Sequence, residues 1–258
     1  MAVRIQILGP FEVAVDGSPL MLGRPHRRSV LALLALRANE IVPVCDIVDA
    51  LWGDWPPPRA RNQIHVYISA LRCQLDHVGL GRGILQTHHV GYRLVVPPGA
   101  RDIDRLDGHV AAARRLLGAG DLERAAEHLR QALSLFRGRP LDGVEGDFAR
   151  WEATLLQERR LALITEYARA EIARGHPETI LADLFRHVRA NPTHEALREQ
   201  LMLALYWSGR AADALAVYRQ GRQVLVDELG VEPGPALRQA QVTILRGVPA
   251  AAAPARRP

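Results

Sequence analysis

The chain has 258 residues, enough for two domains of ordinary size, and its 48% hydrophobic content can supply a buried core. Its 33 basic residues outnumber 28 acids for a net charge of +5, and every one of the 33 is Arg. The absence of Lys excludes a GxxxxGK(S/T) phosphate loop, a Schiff-base lysine and a Ser–Lys hydrolase.

Residues 2–22 read as short strands. Ile5 and Ile7 alternate with polar neighbours, as do Phe11, Val13 and Val15, and Asp16-Gly17 is a two-residue hairpin turn. Helical periodicity begins near Pro25, a residue tolerated in a first turn. Three helices are predicted, over about 26–38, 44–52 and 58–77. Gly79 to Gly83 then reads as a turn, because a phosphate-binding fingerprint would follow a strand and open a helix. Residues 84–96 read as a second hairpin with His88–Gly91 at its tip.

Val96-Pro97-Pro98-Gly99-Ala100 is a linker. The first hundred residues hold ten Arg against seven acids (+3), and the remainder 23 against 21 (+2). Beyond the linker helices are expected from about 102 to 247 without strand-like alternation, and residues 248–258 read as a disordered Ala/Pro/Arg tail. Gly120, Gly175 and Gly209 each close one helix before the next, and the last two are 34 residues apart, the tetratricopeptide period. Five and nine residues after each glycine come Ala125/Leu129, Ile180/Leu184 and Ala214/Tyr218, a small or apolar residue followed by a large one. Pro192 stands where such repeats end a helix. The longer first interval, 55 residues or 34 plus 21, predicts that helix 147–174 carries an inserted or extended arm.

The helix at 58–77 carries the most chemistry. Ile64, Ile68, Leu71 and Leu75 make one core stripe. The opposite face centres on Asn62, His65, Val66, Ser69 and Cys73, flanked by Arg61 and Arg72, with Asp76 at the C-terminal rim. Asn and His meet base edges, Val a thymine methyl, and Arg phosphate or guanine. The bland alternative is an amphipathic helix with a polar exterior. The context argues against it, because three helices followed by a β-hairpin is winged-helix order. The hairpin adds His88, His89 and Arg93. Arg24, His26, Arg27 and Arg28 open the first helix, where free N–H groups and the dipole favour phosphate.

Three segments, LGRPHRRSVLALLALRANEIV, IVDALWGDWPPPRARNQIHVYISALRCQLD and ILQTHHVGYRL, resemble the OmpR-type winged helix, a phosphorelay-type output domain, of the Streptomyces antibiotic regulatory protein (SARP) family. GDLERAAEHLRQALSLFRG and LMLALYWSGRAADALAVYRQGRQVLVDELGVEPGPALR resemble that family's bacterial transcriptional activator domain. The resemblance implies a mostly α chain: a winged helix-turn-helix over 1–97, an all-α tetratricopeptide-like activator domain over 102–247, and the tail 248–258. It implies an activator that binds direct repeats of double-stranded promoter DNA as a side-by-side homodimer. Such a protein recruits RNA polymerase with its sigma factor, commonly at antibiotic and other secondary-metabolite genes. The DNA-facing positions it implies are Arg27, Asn62, Gln63, His65, Val66, Ser69, Arg72, His88, His89 and Arg93, to which the basic helix starts add Arg24, Arg59 and Arg61. The chain departs from the family at Ala70 and Cys73, where Arg is common, and at the His88-His89 wing tip.

No nucleophile–base set is apparent, so catalysis and a cofactor are not expected. His88 and His89 point to opposite faces of a hairpin, and with His65 and Cys73 they lack metal-ligand spacing. Asp102 and Asp104 stand where helix capping explains them. Two cysteines, Cys45 and Cys73, build no disulfide framework, and the longest apolar run is the seven residues Val30 to Leu36. The N-terminus lacks the pattern of a secretion signal, so a cytoplasmic, nucleoid-associated protein without a membrane partner is expected. Rival readings are a tetratricopeptide adaptor whose winged helix dimerises, and a sensor with a ligand pocket among the helices.

Overall fold

A computed structural model describes residues 2–80 and 83–247. The glycine turn at Gly81-Arg82 and the tail 248–258 lie outside them. The chain forms two compact units, Met1–His109 with Ala132–Arg160, and Val110–Gln131 with Leu161–Pro258. The units thus interleave along the sequence.

In the first unit, β1 (Val3–Gln6), β2 (Glu12–Val15) and β3 (Ser18–Pro19) make an antiparallel sheet in that order. Asp16 and Gly17 turn β2 into β3 with φ of 46° and 88°, a pair of left-handed residues matched to the twist of a tight hairpin. Then come α1 (Pro25–Leu36), β4 (Val42–Pro43), α2 (Val44–Trp52), α3 (Ala60–His77), β5 (Leu85–Thr87) and β6 (Gly91–Leu94), with the second sheet ordered β4-β6-β5. The apolar stripe of α3 is fully inside: Ile64, Ile68, Leu71 and Leu75 pack with Val30, Leu31 and Leu34 of α1 and Ile47 of α2 in one buried core. Gly91 lies against β4 so closely that a Cβ there would stand 1.9 Å from the Val42 carbonyl oxygen. Only glycine lets that backbone crossing form, and the crossing seats the β5–β6 hairpin beside α3.

One long-range feature of this unit differs from the sequence expectations. Asp102 does not cap a helix. Its buried carboxylate accepts from the backbone amides of Ile7 (2.9 Å) and Leu8 (3.0 Å), ninety-odd residues away. Asp104 instead holds Arg101, which also donates to the carbonyls of Ala35 and Leu36. The irregular turn at 137–142, with Leu141 at φ 57°, lies beside the segment after β1, and the amides of Arg137, Leu141 and Asp142 donate to the carbonyls of Leu8, Ile7 and Gly9.

The helices of the second part of the chain are α4 (Asp102–Gly118), α5 (Leu122–Ser134), α6 (Asp147–Ala173), α7 (Leu181–Ala190), α8 (Glu195–Trp207), α9 (Ala211–Leu229) and α10 (Pro235–Leu245), with a 3₁₀ turn at Pro177–Ile180. Gly120, Gly175 and Gly209 end their helices with φ between 78° and 80°, which is why glycine stands at each. All six residues at the repeat positions are buried, from Ala125 and Leu129 through Ile180 and Leu184 to Ala214 and Tyr218. In the second unit α8 and α9 pack closely enough that a Cβ on Gly221 would stand 2.1 Å from Arg198 Cδ. Arg198 is buried and donates to the carbonyls of Val217 and Pro192, and burial holds its guanidinium below the ordinary value. The fold is a winged helix-turn-helix followed by an all-α repeat-like part. Among the described residues no helix is long and apolar enough to cross a membrane.

Candidate nucleic-acid interface

With its apolar stripe sunk in the core, α3 turns Asn62, His65, Val66, Ser69 and Cys73 outward, and all five are exposed. Val66, an apolar side chain 65% accessible in mid-helix, stands among hydrogen-bonding neighbours. Gln63 is half-buried, within 3.4 Å of the Tyr67 hydroxyl. Arg59, at the N-cap, and Arg61 are exposed and begin the same face. No carboxylate interrupts it before Asp76, so its field stays positive or neutral over about four turns.

Arg72 sits differently from the sequence expectation. Its Nε and Nη2 donate to the Leu85 carbonyl (3.0 and 2.9 Å), and Nη2 donates to the Thr87 hydroxyl at 2.6 Å. It therefore clamps α3 to the hairpin, with Nη1 as its remaining donor group. Between α3 and β5 lies an open cleft of about 920 Å³ lined by Ser69, Arg72, Cys73, Asp76 and His77 on one side and Gln86 and Thr87 on the other.

The hairpin closes through the His88 amide to the Gly91 carbonyl (2.8 Å) and the reverse bond (3.2 Å), so its tip is the two-residue pair His89-Val90. Both are exposed, whereas His88 is half-buried with its Nε2 enclosed. Arg93 is not at the tip. It stands opposite Gln86 in the β5–β6 register and donates to the Gln86 side chain at 2.6 Å. Among the described residues no group of three His, Cys, Asp or Glu side chains is arranged to hold a metal ion.

The start of α1 is a partial match to the sequence expectation. The Arg27 amide bonds to the Arg24 carbonyl (3.1 Å) and Pro25 has no N–H, so the helix end offers fewer free N–H groups than a bare terminus. Arg28 donates to the Gly143 carbonyl and His26 lies 4.0 Å from Glu145, which turns both toward residues 143–145 ahead of α6. Exposed Arg24 and half-buried Arg27 remain as the cationic groups for this end. The His26 ring, 5.8 Å from that of Trp52 and 6.0 Å from that of Tyr67, ties the end to α2 and α3.

Sequence reasoning missed Tyr92. This buried residue of β6 places its hydroxyl 2.6 Å from His65 Nδ1, and the Arg72 guanidinium lies 5.9 Å from its ring centre. Burial raises the phenol above its ordinary value of 10.0, against a smaller opposing effect from Arg72, so it stays a hydroxyl at neutral pH. Strand alternation in GYRL could have put Tyr92 on the inner face of the hairpin. It could not show which helical residue that face meets.

A helix-turn-helix whose second helix presents such a face beside a β-hairpin wing defines the winged-helix class of transcriptional regulators. Residues 19–94 match the family described as "Transcriptional regulatory protein, C terminal", and residues 101–245 match "Bacterial transcriptional activator domain". The chain belongs to the Streptomyces antibiotic regulatory protein family. It is 39% identical over 245 residues to the transcriptional regulatory protein EmbR of Mycobacterium tuberculosis, covering 94% of this chain and 63% of EmbR. Identity to the regulatory protein AfsR of Streptomyces coelicolor is 40% (97% of this chain, 25% of AfsR), and to DnrI of Streptomyces peucetius 34% (96% and 93%). A solved structure of Mycobacterium tuberculosis EmbR, in complex with a low-affinity phosphopeptide, superposes with a TM-score of 0.91 at 38% identity, covering 96% of this chain and 66% of that one. The chain thus spans about two thirds of EmbR and a quarter of AfsR.

Proposed function

We propose that this protein is a sequence-specific DNA-binding transcription activator, neither an enzyme nor a cofactor protein, working in the cytoplasm at the nucleoid. The observation that carries the reading is the outward face of α3, where Asn62, His65, Val66 and Ser69 are all exposed. A polar, acid-free face with one apolar contact suits a major groove. Arg59 and Arg61 at its start, Arg24 and Arg27 on α1, and His89 at the wing tip supply the phosphate and minor-groove contacts. Gln63, Arg72, His88 and Arg93 support that surface from behind.

The relatives' names as transcriptional regulators support the reading. Residues 1–97 serve as the DNA-binding part and 102–247 as the activating part. Two copies side by side on a direct repeat recruit RNA polymerase with its sigma factor, and antibiotic or other secondary-metabolite genes are the targets. Footprinting of the promoters nearest to its own gene, followed by genome-wide mapping of occupied sites, tests this. Protection of a repeated element is expected. Absence of any protected sequence would favour the adaptor reading.

A further inference from the structure

The contact between β6 and α3 bears on how α3 would read a base. An imidazole on a recognition helix is ambiguous, because either ring nitrogen can carry the proton and the outward one can then donate or accept. His65 is exposed on the DNA-facing side of α3, yet its Nδ1 is 2.6 Å from the hydroxyl of buried Tyr92. The unprotonated nitrogen of a neutral imidazole is a far stronger acceptor than a phenol oxygen, whose lone pair is conjugated with its ring. The phenol O–H is also the better donor. Tyr92 itself is held by Gly91, whose backbone is pressed onto β4, and by the neighbouring Arg72 clamp, so its hydroxyl is a fixed point.

We propose that Tyr92 is a positioning residue for base recognition: its hydroxyl donates to His65 Nδ1, which fixes the Nε2–H tautomer and presents that N–H as a donor to a guanine edge. This rests on the reading of α3 as the DNA-contacting helix. Guanine is the base that fits, because it offers O6 and N7 as adjacent major-groove acceptors. Adenine pairs its N7 with a donor, thymine offers O4 alone beside its methyl, and cytosine offers only a donor.

The experiment has two arms. Selection from a randomised 20-base-pair duplex library is run with the wild-type chain, Tyr92→Phe, His65→Ala and the double variant. In the wild type one position is expected to prefer guanine. Tyr92→Phe, which removes one oxygen, should lower that preference about three- to ten-fold while other positions keep theirs, the value of one net hydrogen bond. His65→Ala should remove it, and adding Tyr92→Phe should then cost nothing further. The second arm records long-range proton–nitrogen correlations of the His65 ring at pH 8 without DNA. The Nε2–H pattern is expected in the wild type and a tautomer mixture in Tyr92→Phe.

An Nδ1–H pattern in the wild type would overturn the inference, and so would a Tyr92→Phe selection identical to the wild-type one. A wild-type chain that enriches no sequence would overturn the DNA-binding reading itself, an outcome separate from a motif that Tyr92→Phe preserves. The wild-type spectrum needs no variant, so an Nδ1–H pattern there overturns the inference even if Tyr92→Phe is unstable.

Discussion

Replacing Arg72 by Ala separates a clamp from a phosphate contact. The guanidinium makes three contacts to two acceptors, the Leu85 carbonyl and the Thr87 hydroxyl, and lies near the Tyr92 ring. A hydrogen bond to a charged group contributes about 1.5–3 kcal/mol when enclosed, and a half-exposed residue retains about half of that. The expected loss of stability is therefore about 1–2 kcal/mol, with a further ~0.5 kcal/mol from the cation–π contact. Affinity for DNA should fall because α3 and the wing lose their fixed spacing. The slope of log K against log salt should change by less than one phosphate contact is worth, because Nε and Nη2 are engaged within the protein and Nη1 alone remains. The comparison variant is Arg61→Ala, an exposed side chain that should flatten the slope by about 0.9 per lost phosphate contact at little cost in stability. Urea denaturation and fluorescence-anisotropy titrations from about 50 to 200 mM salt measure both quantities. If Arg72→Ala flattened the slope by one unit and left stability untouched, the clamp would be refuted.

Two further variants probe the scaffold. Gly91→Ala would drive a Cβ into the Val42 carbonyl, so the β4–β6 pairing must break, and a loss of about 3 kcal/mol in urea denaturation is expected, with DNA binding abolished. Asp102→Ala would leave the Ile7 and Leu8 amides without their acceptor, at about 1–3 kcal/mol for each buried group. Burial raises the Asp102 carboxyl above its ordinary 3.8 despite the opposing amide bonds, so the folded state holds that proton more tightly than the unfolded chain. Its linkage contribution is complete below 3.8 and is lost as pH rises through the raised value. Relative to Asp102→Asn, the wild type should gain stability as pH falls across that window, and the opposite slope would contradict the burial argument.

Helices α1 to α3 were legible because each writes a local signal: Pro25 in a first turn, a stripe from Ile64 to Leu75, and left-handed glycines where helices end. The outward face of α3 follows from the same stripe, since fixing one side of a helix fixes the other. What was not legible depends on partners far along the chain. Asp102 has the local look of a cap, and only the fold reveals amides some 95 residues away. The turn at 137–142 carries no periodic signal of its own, because its hydrogen bonds go to residues 7–9. His65 and Arg72 read as base or phosphate contacts from the wheel, and the wheel cannot show that Tyr92 and Thr87 of the hairpin engage them from behind.

The central claim is that the exposed face of α3 lies against a duplex, and photo-crosslinking tests it most directly. A benzophenone amino acid placed at Val66, 65% exposed, is compared with one at Leu245, 63% exposed at the end of α10, each irradiated with duplexes carrying the mapped site. Crosslinking to DNA from position 66 and none from position 245 is the expected result. Equal yields from both positions, or none from position 66 under conditions where the protein binds, would contradict the assignment of α3 as the reading helix.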